Sequence, residues 1–143
     1  MEINKDLLES LLAEAKENPR LRQNFDLRTS FADTSQRMLN ALQPQTEVPI
    51  HQHEKTAETV ICLVGKLEEI IYEEVNEYIY EATSCCGDVT RQRKIREISR
   101  QILSPAEGKF GIQIPAGAWH TINVIEPSVI FEAKDGAYKR GDR

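Results

Sequence analysis

All three histidines of this chain lie in two short segments that are far apart in sequence. The first reads Pro49-Ile50-His51-Gln52-His53, with Glu58 and Gly65 following; the second reads Pro115-Ala116-Gly117-Ala118-Trp119-His120. Imidazole is the commonest metal ligand, and three imidazoles with one carboxylate suit a borderline transition metal. If the four groups meet, the fold is tightly constrained. His51 and His53 are two apart, so in a strand their rings project to the same side. Glu58 lies an odd number of residues beyond His53, on the wrong face of any continuous strand. The chain must therefore turn over residues 54–57 and start a new strand, in which Gly65 permits the next tight turn. His120 arrives much later, after Pro115-Ala116-Gly117. Only an antiparallel fold that closes on itself brings it back.

The rest of the chain agrees with such a fold. Residues 3–17 predict an amphipathic helix, because Ile3, Leu7, Leu8, Leu11, Leu12 and Ala15 recur at three- and four-residue spacing. Asn18-Pro19 ends it. The apolar stripe is expected to lie against the domain or a partner subunit. From residue 35 onward the pattern is strand-like, over 35–42, 48–53, 58–64, 66–72, 78–82, 110–114, 120–125 and 129–134, as in a sandwich or barrel. Between 68 and 100 an acidic run (Glu68, Glu69, Glu73, Glu74, Glu77, Glu81) precedes a basic one (Arg91, Arg93, Lys94, Arg96, Arg100). Antiparallel neighbours would set these charges opposite each other. Ile95, Ile98 and Ile102 also allow a helical turn there. One domain fits the length.

A net charge of −5 argues against nucleic acid as a partner. The apolar runs are too short to span a bilayer, and no signal peptide is visible, so no membrane association is expected. Cys62, Cys85 and Cys86 are an odd set without metal-site spacing. They fit incidental thiols and a reducing, cytoplasmic setting.

The two histidine segments resemble the paired motifs of the cupin superfamily. His51, His53, Glu58 and Gly65 match the first motif; Pro115, Gly117 and His120 match the second. Residues 36–42 and 131–138 extend the likeness to WbuC-type cupin metalloproteins, over roughly residues 20–138. Two positions depart from the pattern. Gln45 stands where the first motif usually has glycine, and Asn123 follows His120 by three residues where an asparagine usually follows by four. The resemblance implies an all-β fold, a small cupin jelly-roll barrel with an N-terminal α-helix. The helix would occupy residues 1–19 and a single cupin domain residues 20–143. It also implies one divalent transition metal (Zn, Mn, Fe or Ni) held by His51, His53, Glu58 and His120, with an open coordination position.

Further site candidates are Glu132, Lys134 and Tyr138 as catalytic groups, with Tyr138 able to donate a proton. Arg37 is a candidate substrate clamp for a carboxylate or phosphate. An exposed Glu132–Lys134 ion pair and a packed aromatic at Tyr138 are the alternatives, and Arg20, Arg22 and Arg28 are expected to be solvated. The function so implied is a metal-dependent cupin acting on a small polar, sugar-derived molecule in bacterial O-antigen or other surface-polysaccharide biosynthesis. The alternative is a non-catalytic metal- and ligand-binding module. A homodimer is expected, built partly from the N-terminal helix or an edge strand.

Overall fold

The computed structural model describes residues 1–83 and 86–136. It is mostly antiparallel β-structure behind one helix, α1 (Lys5–Glu17). Asn4 caps α1 by accepting a hydrogen bond from the Leu7 N–H, and Asn18 closes its far end. The strands are β1 (Arg22–Asp26), β2 (Ser35–Leu42), β3 (Glu58–Thr83), β4 (Cys86–Leu103), β5 (Gly111–Ile114) and β6 (Trp119–Asp135). They pair in the order β1-β2-β6-β3-β4, with β5 on β3. This is the all-β barrel with an N-terminal helix that the sequence predicts.

Alternation along the strands divides two cores. Leu42, Val60, Cys62, Leu67, Ile71, Leu103, Ile114, Val124 and Ile130 fill the inner face. Leu39, Ala41 and Val129 point outward and are covered by Leu11 and Ala15 of α1. The apolar stripe of the helix is thus buried within its own chain.

The ladder of β3 with β6 explains how remote residues meet. It runs from Glu58 opposite Lys134 to Tyr72 opposite Trp119, with register shifts between Cys62 and Leu67. At those shifts sits Gly65, with φ +95°. A Cβ there would lie 2.2 Å from the Pro127 carbonyl oxygen and 2.4 Å from Ser128 Oγ. Only glycine lets the two strands bend over each other so closely. The Ser128 hydroxyl accepts from the Lys66 N–H and donates to the Glu126 carbonyl, which holds the corner.

Several elements differ from the sequence pattern, and of residues 48–53 only His51 forms a bridge, to His120. Residues 58–72 and 78–82 belong to one bent strand, because the corner at Gly65 interrupts side-chain alternation without breaking the ladder. Residues 120–125 and 129–134 likewise form one strand. The basic run is strand rather than helix. β4 pairs with β3 throughout, and a bulge leaves Ile98 unpaired between Ser99 and Glu97. The short β1 lacks an alternating pattern of its own and forms by pairing with β2.

Candidate metal centre

His51 and His120 exchange both backbone hydrogen bonds, at 3.0 and 2.8 Å. In an antiparallel pair this sets both side chains on one face. Their ring centroids are 4.1 Å apart. Two residues on, the Gly117 N–H donates to the His53 carbonyl and keeps the two segments together. Gly117 has φ +82°, as the turn before His120 requires. His53 therefore projects beside His51, and the candidate ligand atoms of His51, His53 and His120 all lie within 4.8 Å of one another.

Glu58 opens β3 and is 1% exposed. Its Oε2 is 3.0 Å from His53 Nε2 and 3.6 Å from His120 Nε2. Glu58 and His120 stand near opposite ends of the β3–β6 ladder. They touch because the ladder doubles over at Gly65.

The tautomers follow from the hydrogen bonds. His51 Nδ1 is 2.8 Å from the Pro49 carbonyl oxygen, and His120 Nδ1 is 2.9 Å from that of Ala118. A carbonyl only accepts, so each Nδ1 carries a proton, and each ring, when neutral, turns an unprotonated Nε2 to the centre. Both Nε2 atoms are buried, and that of His120 has no hydrogen-bond partner among the described residues. Burying an acceptor without a donor is costly, whereas a cation beside the Glu58 carboxylate would satisfy that of His120. Backbone carbonyls that fix the far ring nitrogen are also the usual second layer of a metal site. The donor set fits a divalent transition metal, and zinc, manganese, iron and nickel all accept it.

The other sequence candidates are distributed as follows. Glu132 is 1% exposed and faces inward, between Met38 and Val60 of the neighbouring strands. Lys134 stands cross-strand from Glu58 on the same face, and its ammonium donates to the Gly136 carbonyl. Tyr138 lies outside the described residues. Arg37 is not brought to the cluster. It shares the outward face of Leu39 and Ala41, and an ion pair with Asp33 at 2.6 Å holds it there. Arg28 is likewise held by Asp26, and Arg22 donates to the Glu47 carbonyl. Three inward polar residues were missed by the sequence reading: Gln36, Asn40 and Glu69, each at most 3% exposed. Gln36 and Asn40 flank Met38 at a spacing of two. That period, applied to β2, would have selected them instead of Arg37.

Among the solved structures with this fold is TT1209 from Thermus thermophilus. It is 20% identical, covers 95% of this chain and 98% of its own, and has a TM-score of 0.55. KdgF from a Halomonas species is 16% identical, with 85% and 84% covered and a TM-score of 0.51. The capsular polysaccharide assembling protein CapF of Staphylococcus aureus is 15% identical with a TM-score of 0.52. The match covers 86% of this chain but only 30% of CapF. At these identities the likeness is one of fold, that of the small cupin jelly roll. No curated protein sequence matches the chain. No helix among the described residues is long and apolar enough to cross a membrane. Residues 3–83 match the model of a domain of unknown function, DUF6016. That segment is more than half of the chain and includes His51, His53 and Glu58, so the chain belongs to the DUF6016 family.

Proposed function

We propose that this chain is a metal-dependent cupin of the WbuC type, a cytoplasmic homodimer that acts on a small polar molecule in surface-polysaccharide biosynthesis. Residues 20–143 form its single cupin domain, on which the helix of residues 1–19 packs. His51, His53, Glu58 and His120 hold one divalent transition metal. The observation that carries this reading is the convergence of the His51, His53 and His120 ligand atoms within 4.8 Å of one another, with the buried Glu58 carboxylate 3.0 Å from His53 and 3.6 Å from His120. The pathway rests on the motif resemblance, to which the likeness to CapF adds only the fold.

When bound, the metal supplies Lewis-acid polarisation of a substrate oxygen. The protein's own groups orient the ligand and move protons. Glu132 is a buried carboxylate of the inner face, and Lys134 stands across the ladder from Glu58. The Tyr138 hydroxyl donates a proton. A non-catalytic binding module is the second reading. It is favoured by the tight inner face, where Gln36, Asn40, Glu132 and His120 are almost fully buried.

The test is a screen of sugars and sugar derivatives against protein loaded with each metal, following both binding and product by NMR. Glu132→Gln and Tyr138→Phe should each lower turnover about 100-fold while leaving metal content unchanged. Saturable binding without product under every metal would assign the binding module instead.

A further inference from the structure

Beyond the barrel, β3 and β4 continue as a two-stranded ribbon. β6 pairs with β3 only as far as Tyr72, after which Glu73–Thr83 and Cys86–Arg96 pair only with each other. The ribbon is about 35 Å long at ~3.3 Å per residue. An isolated two-stranded hairpin is marginal in water. This one also exposes bulky side chains: Tyr78 is 66% exposed, Tyr80 67%, Val89 63% and Ile95 40%.

Register sorts these residues onto one face. Cross-strand partners share a face, and alternate residues follow them. One face carries Glu73 opposite Arg96 and Glu77 near Lys94, both joined by ion pairs. Those four charges are paired within the ribbon, while Glu81 stands opposite Asp88 near its tip. The other face carries Asn76 opposite Arg93, Tyr78 opposite Arg91, and Tyr80 opposite Val89, with Glu74 opposite Ile95 at the base. There Glu74 is taken by the Trp119 indole N–H at 3.0 Å. Arg91 and Arg93 have no carboxylate partner among the described residues. The second face is therefore aromatic along β3 and cationic along β4.

We propose that this face is the dimer contact, packing on the same face of a second copy about a two-fold axis parallel to the ribbon; this rests on the homodimer reading above and names its surface. The charges select that axis. With the axis along the ribbon, β3 of one copy lies over β4 of the other, and Tyr78 and Tyr80 meet Arg91 and Arg93, an arrangement of cation–π type. With the axis across the ribbon, β4 would lie over β4 and set arginine on arginine. Edge pairing of β4 with β4 is opposed in the same way, by the row Arg91, Arg93, Lys94, Arg96 and Arg100. The inner core lies behind the opposite face, where Leu67 and Ile71 of β3 point. Two copies can thus meet back to back without collision of their barrels.

Sedimentation velocity of the full chain at about 50 µM tests this. Wild type should sediment as a dimer. Tyr78→Ser/Tyr80→Ser and Arg91→Glu/Arg93→Glu should each sediment as monomers, their dissociation constants raised at least 100-fold. Ile79→Ser, on the opposite face, should remain a dimer. Mixing Tyr78→Lys/Tyr80→Lys with Arg91→Glu/Arg93→Glu should restore a heterodimer, a result that mere loss of ribbon structure cannot give. A monomeric wild type overturns the dimer reading itself, and would follow if an acidic partner of another kind occupied the face. A dimeric wild type with dimeric face variants, or a mixture without heterodimer, overturns only the ribbon contact. Circular dichroism checks each variant, and Val89→Glu replaces any that fails to fold.

Discussion

Gln45 has φ +75° in the loop before the first histidine segment, at the position where the cupin motif usually carries glycine. The backbone has kept the conformation and lost the residue that adopts it freely. Left-handed geometry costs a side chain about 1–2 kcal/mol. Gln45 is exposed and has no packing to lose. Gln45→Gly should therefore raise stability by up to about 1 kcal/mol, and Gly117→Ala should lower it by about 1–2 kcal/mol. Urea denaturation measures both. Cys62 gives a pH prediction. Burial pushes its thiol from an ordinary 9.0 up to about 11. The unfolded chain ionises this thiol at the lower value and the folded chain at the higher. Its contribution to stability is complete below pH 9 and is lost as pH rises from 9 to about 11. Peptide mapping after alkylation at pH 8 should find Cys62 unmodified in folded protein and modified in urea. The histidine rings themselves must be neutral to hold a metal. With an unperturbed imidazole near ~6.5, occupancy against a competing chelator should fall below about pH 6.

Among the elements, the corner at Gly65 does most to assemble the site. Gly65→Ala combines a left-handed φ with a Cβ only 2.2 Å from backbone. It should destabilise by more than about 2 kcal/mol. It should also reduce metal affinity, since the doubled ladder is what brings Glu58 to His120. An unchanged urea midpoint would contradict this role of the corner. The motif spacing made this arrangement legible before the structure, because a carboxylate on the wrong parity forced a turn and a late histidine forced closure. The interior wall was not legible. Arg37 and Gln36 differ by one place on β2, and one place exchanges the faces of a strand. Sequence chemistry favoured the arginine, whereas pairing of β2 with β6 turned Gln36 and Asn40 inward. The acidic and basic runs were readable as antiparallel partners. Their segregation into a paired face and an aromatic–cationic face required the register and the bulge at Ile98.

For the whole molecule, the helix and the ribbon divide the work of covering β-structure. α1 screens Leu39, Ala41 and Val129. Deleting residues 1–18 should expose this surface and cause aggregation without altering the histidine cluster. A truncated protein that stays soluble and melts like the full chain would refute that role. The sheet in turn holds together four candidate ligands drawn from a loop and from the ends of two long strands, so metal binding should report on the integrity of the whole barrel. The most direct measurement is the elemental content of the purified full chain, wild type beside His120→Ala, after equilibration with zinc, manganese, iron and nickel in turn and removal of loose ions. A metal centre of the kind described should give about one divalent transition metal ion per wild-type chain for at least one of these metals, and less than about a tenth of that in the variant. A wild type that retains none of them, or a variant that retains as much, would contradict it.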